Sequence, residues 1–114
     1  MAKILLDVDG GFGHKLAPRL LVKGGLPPRV YVSNSARLLD ICDREDPRQT
    51  IILVPVYPEA SDLWILENMR QGDLLFTRDL KLLDAFQGKG GRGFNMCRRY
   101  AIRRALSWLN KIFP

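Results

Sequence analysis

Lys3 to Gly10 reads KILLDVDG: a short apolar run, then two carboxylates one residue apart, then the first of two glycines. The run is continuous rather than alternating, as in a strand buried on both faces. Similar runs return three times. Arg29 to Ser33 (RVYVS) is rich in β-branched and aromatic residues. Ile51 to Tyr57 (IILVPVY) carries Pro55, which favours a sheet edge or a strand end. Asp73 to Thr77 (DLLFT) is the fourth. Helix-compatible segments stand between them. Leu16 to Lys23 is ended by Gly24-Gly25 and Pro27-Pro28. A second helix, capped by Asn34 or Ser35, runs to about Asp40. A third runs from an N-cap at Ser61 to Met69 and is apolar on more than one face through Leu63, Trp64, Ile65 and Leu66, which predicts deep burial. A fourth spans Leu80 to Phe86. After the glycine-rich GKGGRG (Gly88 to Gly93), read as a flexible connection, the last helix is expected from about Asn95 to Ile112.

Strands alternating with helices predict an α/β fold, a three-layer α/β/α domain around a mostly parallel sheet of four to five strands. The 114 residues suit one domain, 1–114. The composition, 46% apolar and 26% charged, is globular and argues against disorder. No apolar run approaches the ~20 residues of a membrane span, and the chain opens directly on its first strand, so neither an anchor nor a signal peptide is expected. A cytoplasmic location follows as an expectation.

The formal charge is +6 and is unevenly placed. From Ala85 onward there are seven basic residues (Lys89, Arg92, Arg98, Arg99, Arg103, Arg104, Lys111) and no acidic one. Such a block suggests an anionic partner, most often nucleic acid. A solvated helix face would account for it equally well. With two cysteines, Cys42 and Cys97, and one histidine, His14, neither a disulfide framework nor a His/Cys zinc site has enough members. Any chemistry must come from carboxylates.

Ligands of open parallel sheets bind beyond the carboxyl ends of the strands. Asp7 and Asp9 are expected there, on one side of their strand by its period of two. Asp62 opens the third helix, Asp79 follows the fourth strand, and Asp84 lies one helical turn plus one residue further on. Unpaired, such carboxylates repel one another; a hard cation such as Mg²⁺ or Mn²⁺ would relieve this. Taken singly, Asp62 and Asp79 are better explained as helix caps than as catalytic acids.

The strand with Asp7-Val-Asp9, the segment Ala60-Ser61-Asp62-Leu63-Trp64-Ile65-Leu66-Glu67 and the run Gly72-Asp73-Leu74-Leu75-Phe76-Thr77-Arg78-Asp79 occur in an order that resembles the bacterial YaiI/YqxD family. That family shows DxD, then A-x-D-D-W-I-V-E, then P-G-D-L-V-hydrophobic-T-A-D. The end of the chain, from Asn95-Met96 through Arg99, Ala101 and Arg103, is similar to its N-I-x-x-R-L-A-M-R stretch. The chain departs from the pattern at Gly10-Gly11, where the family has Cys-Pro, and at Leu63, where it has a second Asp.

The resemblance implies a PIN-like domain, a fold whose better-known members are metal-dependent ribonucleases. It would make Asp7, Asp9, Asp62 and Asp79 the catalytic and metal-holding acids, with Mg²⁺ or Mn²⁺ as cofactor. Asp84 has no counterpart in the YaiI/YqxD pattern, but many PIN nucleases carry an extra acid in this region, which would make it an added metal ligand. Thr77, Arg92, Arg98, Arg99, Arg103 and Arg104 would serve RNA or single-stranded nucleic acid, Thr77 by orienting the site. Small PIN-like proteins also form homodimers, and some are held by a protein inhibitor.

Two other readings fit the residues. Asp7-Val-Asp9-Gly10 looks like the nucleophile motif of HAD-type phosphatases, with Asp7 taking the phosphoryl group, Asp9 as acid/base, and Asp79 and Asp84 as the distal pair. A non-catalytic nucleic-acid or partner-binding module would keep the fold with an incomplete metal site.

Overall fold

The computed structural model describes residues 2–21, 24–39 and 47–114. Cys42 and the expected helix end at Asp40 lie outside the described residues. Five strands, β1 (Ile4–Asp7), β2 (Arg29–Ser33), β3 (Gln49–Leu53), β4 (Leu74–Thr77) and β5 (Arg92–Asn95), form one sheet. Its order is β3-β2-β1-β4-β5, and every pairing is parallel. The helices are α1 (Gly13–Leu21), α2 (Ala36–Leu39), α3 (Ala60–Asn68), α4 (Leu80–Gly88) and α5 (Ala101–Ile112).

Alternation along the strands builds two cores. Ile4, Leu6, Tyr31, Leu74 and Phe76 face α1, α2 and α5 through Leu16, Leu20, Leu39, Ala105 and Leu109. Leu5, Val30, Val32 and Leu75 face α3 and α4 through Ile65, Leu82 and Phe86. The result is the expected three-layer α/β/α arrangement. Each fully buried Leu, Ile or Phe contributes about 1.5–3 kcal/mol. Among the described residues no helix is long and apolar enough to cross a membrane.

Four local expectations change. First, β3 is at the sheet edge as Pro55 favours, but it spans Gln49–Leu53 and stops short of Pro55 and Tyr57. Second, α3 is only partly buried. Ile65 is inside, whereas Leu63 is 46% exposed. Its N-cap is Glu59 and not Ser61. Third, GKGGRG is not wholly a loose connection: Gly88 ends α4, and Arg92 and Gly93 open β5. A Cβ on Gly91 would lie 2.1 Å from the Phe86 ring, and one on Gly93 would lie 2.0 Å from Leu83, so these glycines let α4 close onto β5. Fourth, α5 begins at Ala101 and not at Asn95. Asn95 ends β5, and its Oδ1 accepts the Cys97 N–H at 2.8 Å, turning the chain before the helix. Arg98 and Arg99 therefore precede α5.

One acid belongs to the scaffold. Asp73 enters β4 at the amino edge of the sheet, buried, and accepts from Lys3 N (3.0 Å), Lys3 Nζ (2.6 Å) and Arg70 N (2.8 Å).

Candidate functional site

In this strand order the chain leaves β1 and β4 toward opposite edges, which makes the carboxyl ends of that central pair the switch point where ligands of such sheets bind. β1 delivers Asp7 there, 4% exposed. Thr77 ends β4 beside it, fully buried, and its hydroxyl donates to Asp7 Oδ2 at 2.7 Å while accepting from Asp79 N at 2.9 Å. Among the described residues, Asp7 Oδ1 is buried with no hydrogen-bond partner. A buried carboxylate oxygen left this way is costly and rare.

Asp9 arrives by another route than expected. The strand stops at Asp7, and Val8–Gly10 is a turn of 3-10 helix closed by Gly11, whose φ of 82° suits glycine. Asp9 then accepts from Ser33 Oγ (2.5 Å), Asn34 N (3.2 Å) and Ser61 Oγ (2.6 Å), joining the end of β2 to the start of α3. Both of its oxygens are engaged. Asp62 stands in the first turn of α3. Asp79 caps α4, one oxygen accepting from Lys81 N (3.0 Å) and Leu82 N (3.1 Å).

Asp7, Asp9, Asp62 and Asp79 line one pocket of about 320 Å³, with Asn34, Glu59 and Ser61. Burial pushes the Asp7 carboxyl up to about 6, against the lowering effect of the Thr77 hydroxyl and with help from the charges of Asp9 and Asp79. Desolvation also pushes Asp62 up to about 7, reinforced by a hydrogen bond to Asp79 and by the charges of Asp79, Asp7 and Glu59. For Asp79 desolvation acts upward too, but the Leu82 and Lys81 amides and the Asp62 carboxyl outweigh it and hold Asp79 below the ordinary carboxylate value. The repulsion among these acids thus favours the protonated form of Asp62 and the ionised form of Asp79. Among the described residues no three His, Cys, Asp or Glu side chains stand together as a ready-made cation site.

A second cleft, of about 500 Å³, adjoins the first and is lined by Lys15, Arg19, Arg78, Arg98 and Arg103 together with Tyr100. Arg78 Nη1 donates to the carbonyl of Gly10 at 3.1 Å, so the two clefts share this wall.

The structure therefore places four of the five expected acids in the lining of one pocket. Asp84 is exposed on α4 and does not line the pocket, because five residues past the Asp79 cap it has rotated away. Thr77 is too deeply buried to touch a nucleic acid and instead orients Asp7. Arg92 starts β5, at the amino edge and away from the pocket. Arg104 lies with Trp108 and Lys111 in a different groove, which also reaches Arg98. Glu59, Ser33, Ser61, Lys15, Arg19 and Arg78 were not anticipated. The strand-end rule could have nominated Ser33, Glu59 and Arg78, all in or next to loops at the carboxyl edge. Lys15 and Arg19 carry one signal, their spacing of four residues on α1.

No family model matches the chain, and no solved structure matches it. Two curated relatives do. A UPF0178 protein of Rhodospirillum rubrum is 38% identical over 47 residues, covering 41% of this chain and 31% of that protein. A UPF0178 protein of Stutzerimonas stutzeri is 38% identical over 63 residues, covering 46% of this chain and 42% of that protein. The matches span less than half the length of these relatives. Over these stretches, and in the order of its motifs, the chain is similar to UPF0178 proteins, the YaiI/YqxD family that its sequence resembles.

Proposed function

We propose that this protein is a divalent-cation-dependent phosphodiesterase acting on RNA or other single-stranded nucleic acid. The observation that carries this reading is Asp7 Oδ1, a buried and unpartnered carboxylate oxygen in the wall of an acidic pocket that opens beside a basic cleft. An all-oxygen donor set of this kind suits Mg²⁺ or Mn²⁺. Asp7, Asp62 and Asp79 are the residues that would hold the cation. When bound, it would supply the positive charge that activates water and offsets charge building on a phosphodiester.

The chain's own groups do the rest. Thr77 holds Asp7 by one oxygen and leaves the other without a partner among the described residues. Asp9 is a positioning residue, because Ser33, Asn34 and Ser61 already occupy its oxygens. Asp62 must give up its proton before a cation can enter. The basic cleft would hold the backbone phosphates next to the carboxylates. The PIN-like resemblance supports the same reaction class.

The lack of a ready-made set of three ligands among the described residues, with exposed Leu63 where the family carries an Asp, favours a second reading: a nucleic-acid-binding module without catalysis. The HAD-type alternative gains no support, since Asp84 stands outside the pocket.

The test is incubation of labelled RNA and DNA with Mn²⁺, comparing the wild type with Asp7→Asn. Cleavage by the wild type that is lost in the variant supports the proposal. Binding without cleavage supports the module. Equal cleavage by both indicates a contaminating nuclease and removes the enzymatic reading.

A further inference from the structure

Tyr100 has no role in the fold that its surroundings explain. It occupies the N-cap of α5, where Ser, Thr, Asp or Asn usually bond the first free amides, yet it makes no side-chain cap hydrogen bond. Its φ is 57°, in the left-handed region that bulky side chains rarely adopt. Tyr100 is 55% exposed, so it adds little to the core. Residues held in such conformations cluster at binding and catalytic sites.

What surrounds the ring is cationic. The Arg99 and Arg103 guanidiniums lie over it at 5.0 and 5.3 Å from its centroid. Tyr100 also lines the basic cleft with Lys15, Arg19 and Arg78, and among the described residues no Asp or Glu contributes to that lining. Arg78 connects the cleft to the acidic pocket through Gly10.

We infer that Tyr100, flanked by Arg99 and Arg103, is a base-stacking platform that selects single-stranded nucleic acid. The phosphates of the strand run along Lys15, Arg19 and Arg78 toward the acidic pocket. The inference rests on the nucleic-acid reading above and adds the residue that sets strand preference. An exposed aromatic ring among arginines is how proteins hold unpaired bases with little sequence preference. A duplex hides its base faces, so it can use the cations but not the ring.

The test reads binding in EDTA, where cleavage cannot intervene. A fluorescein-labelled 12-nucleotide oligo(U) and a 12-base-pair RNA duplex are titrated with the full chain, and anisotropy is followed. The wild type is expected to prefer the single strand. Tyr100→Gly fits φ 57° better than Tyr does, so it should fold at least as well and yet lose about ten- to hundredfold in single-strand affinity. Duplex affinity should stay nearly unchanged, and Tyr100→Trp should retain single-strand preference. Arg78→Gln should weaken both ligands and flatten the salt dependence, by about 0.7 log units per log unit of salt for the single strand. Unchanged single-strand affinity in Tyr100→Gly overturns the platform while leaving the nucleic-acid reading standing. Failure of the wild type to bind either oligonucleotide overturns both.

Discussion

Replacing Asp7 by Asn should make the cation-free protein more stable at neutral pH while removing its capacity to hold a cation. Asp7 is almost wholly buried, and burial lifts its carboxyl from 3.8 to about 6. Because the folded pKa lies above the unfolded one, the folded protein holds the proton more tightly. The associated stability is fully present below about pH 3.8 and is lost as pH rises through about 6. At 1.36 kcal/mol per pKa unit, the charged form costs about 3 kcal/mol at pH 7.5. Asn carries no charge, and its amide oxygen can keep the Thr77 hydroxyl bond. Asp7→Asn should therefore exceed the wild type by up to about 3 kcal/mol at pH 7.5, on the order of 10 °C in Tm, and match it near pH 4. Thermal or urea unfolding in EDTA across pH 4 to 8 measures this directly. A variant less stable than the wild type at pH 7.5, or a difference that does not change with pH, would refute the reasoning.

Other outcomes follow from the same geometry. Thr77→Val removes the donor to Asp7 and the acceptor of the Asp79 amide, so Mn²⁺ affinity by calorimetry should fall about 10- to 100-fold. Asp73→Ala leaves Lys3 and Arg70 without their buried acceptor and should cost about 2–4 kcal/mol in urea unfolding, with oligonucleotide affinity unchanged. Asp84→Asn should leave both Mn²⁺ affinity and cleavage as in the wild type. Since Asp7 and Asp62 titrate at about 6 and about 7, Mn²⁺ binding should release protons near neutral pH and weaken steadily from pH 8 to pH 5.

The parts of the fold that could be read directly are those where side-chain pattern and burial coincide. β1, β2 and β4 are continuous apolar runs because both faces of the sheet centre are covered. A fifth strand was allowed for but not located, because what qualifies β5 for the sheet is the lack of side chains at Gly91 and Gly93, which α4 needs for its approach. The start of α5 was misplaced because Asn95-Met96 has helix-compatible composition, whereas a side-chain hydrogen bond from Asn95 redirects the backbone.

At the site, strand-end position found Asp7, Asp62 and Asp79. Asp9 was placed there for the wrong reason: a 3-10 turn, not strand alternation, brings it in, and two serines distant in sequence hold it. Sequence spacing could not show that Arg92 and the cleft lie at opposite edges of the sheet, since strand direction decides that. Nor could it show that Lys15 and Arg19 of α1 meet Arg78 and Arg103.

The measurement that bears hardest on the proposed function is calorimetric titration of Mn²⁺ into the wild type and Asp79→Asn at pH 7.5. The account predicts saturable binding by the wild type, accompanied by proton release, and its loss in the variant. An absence of binding to the wild type, or identical binding to both, would contradict a cation site formed by Asp7, Asp62 and Asp79.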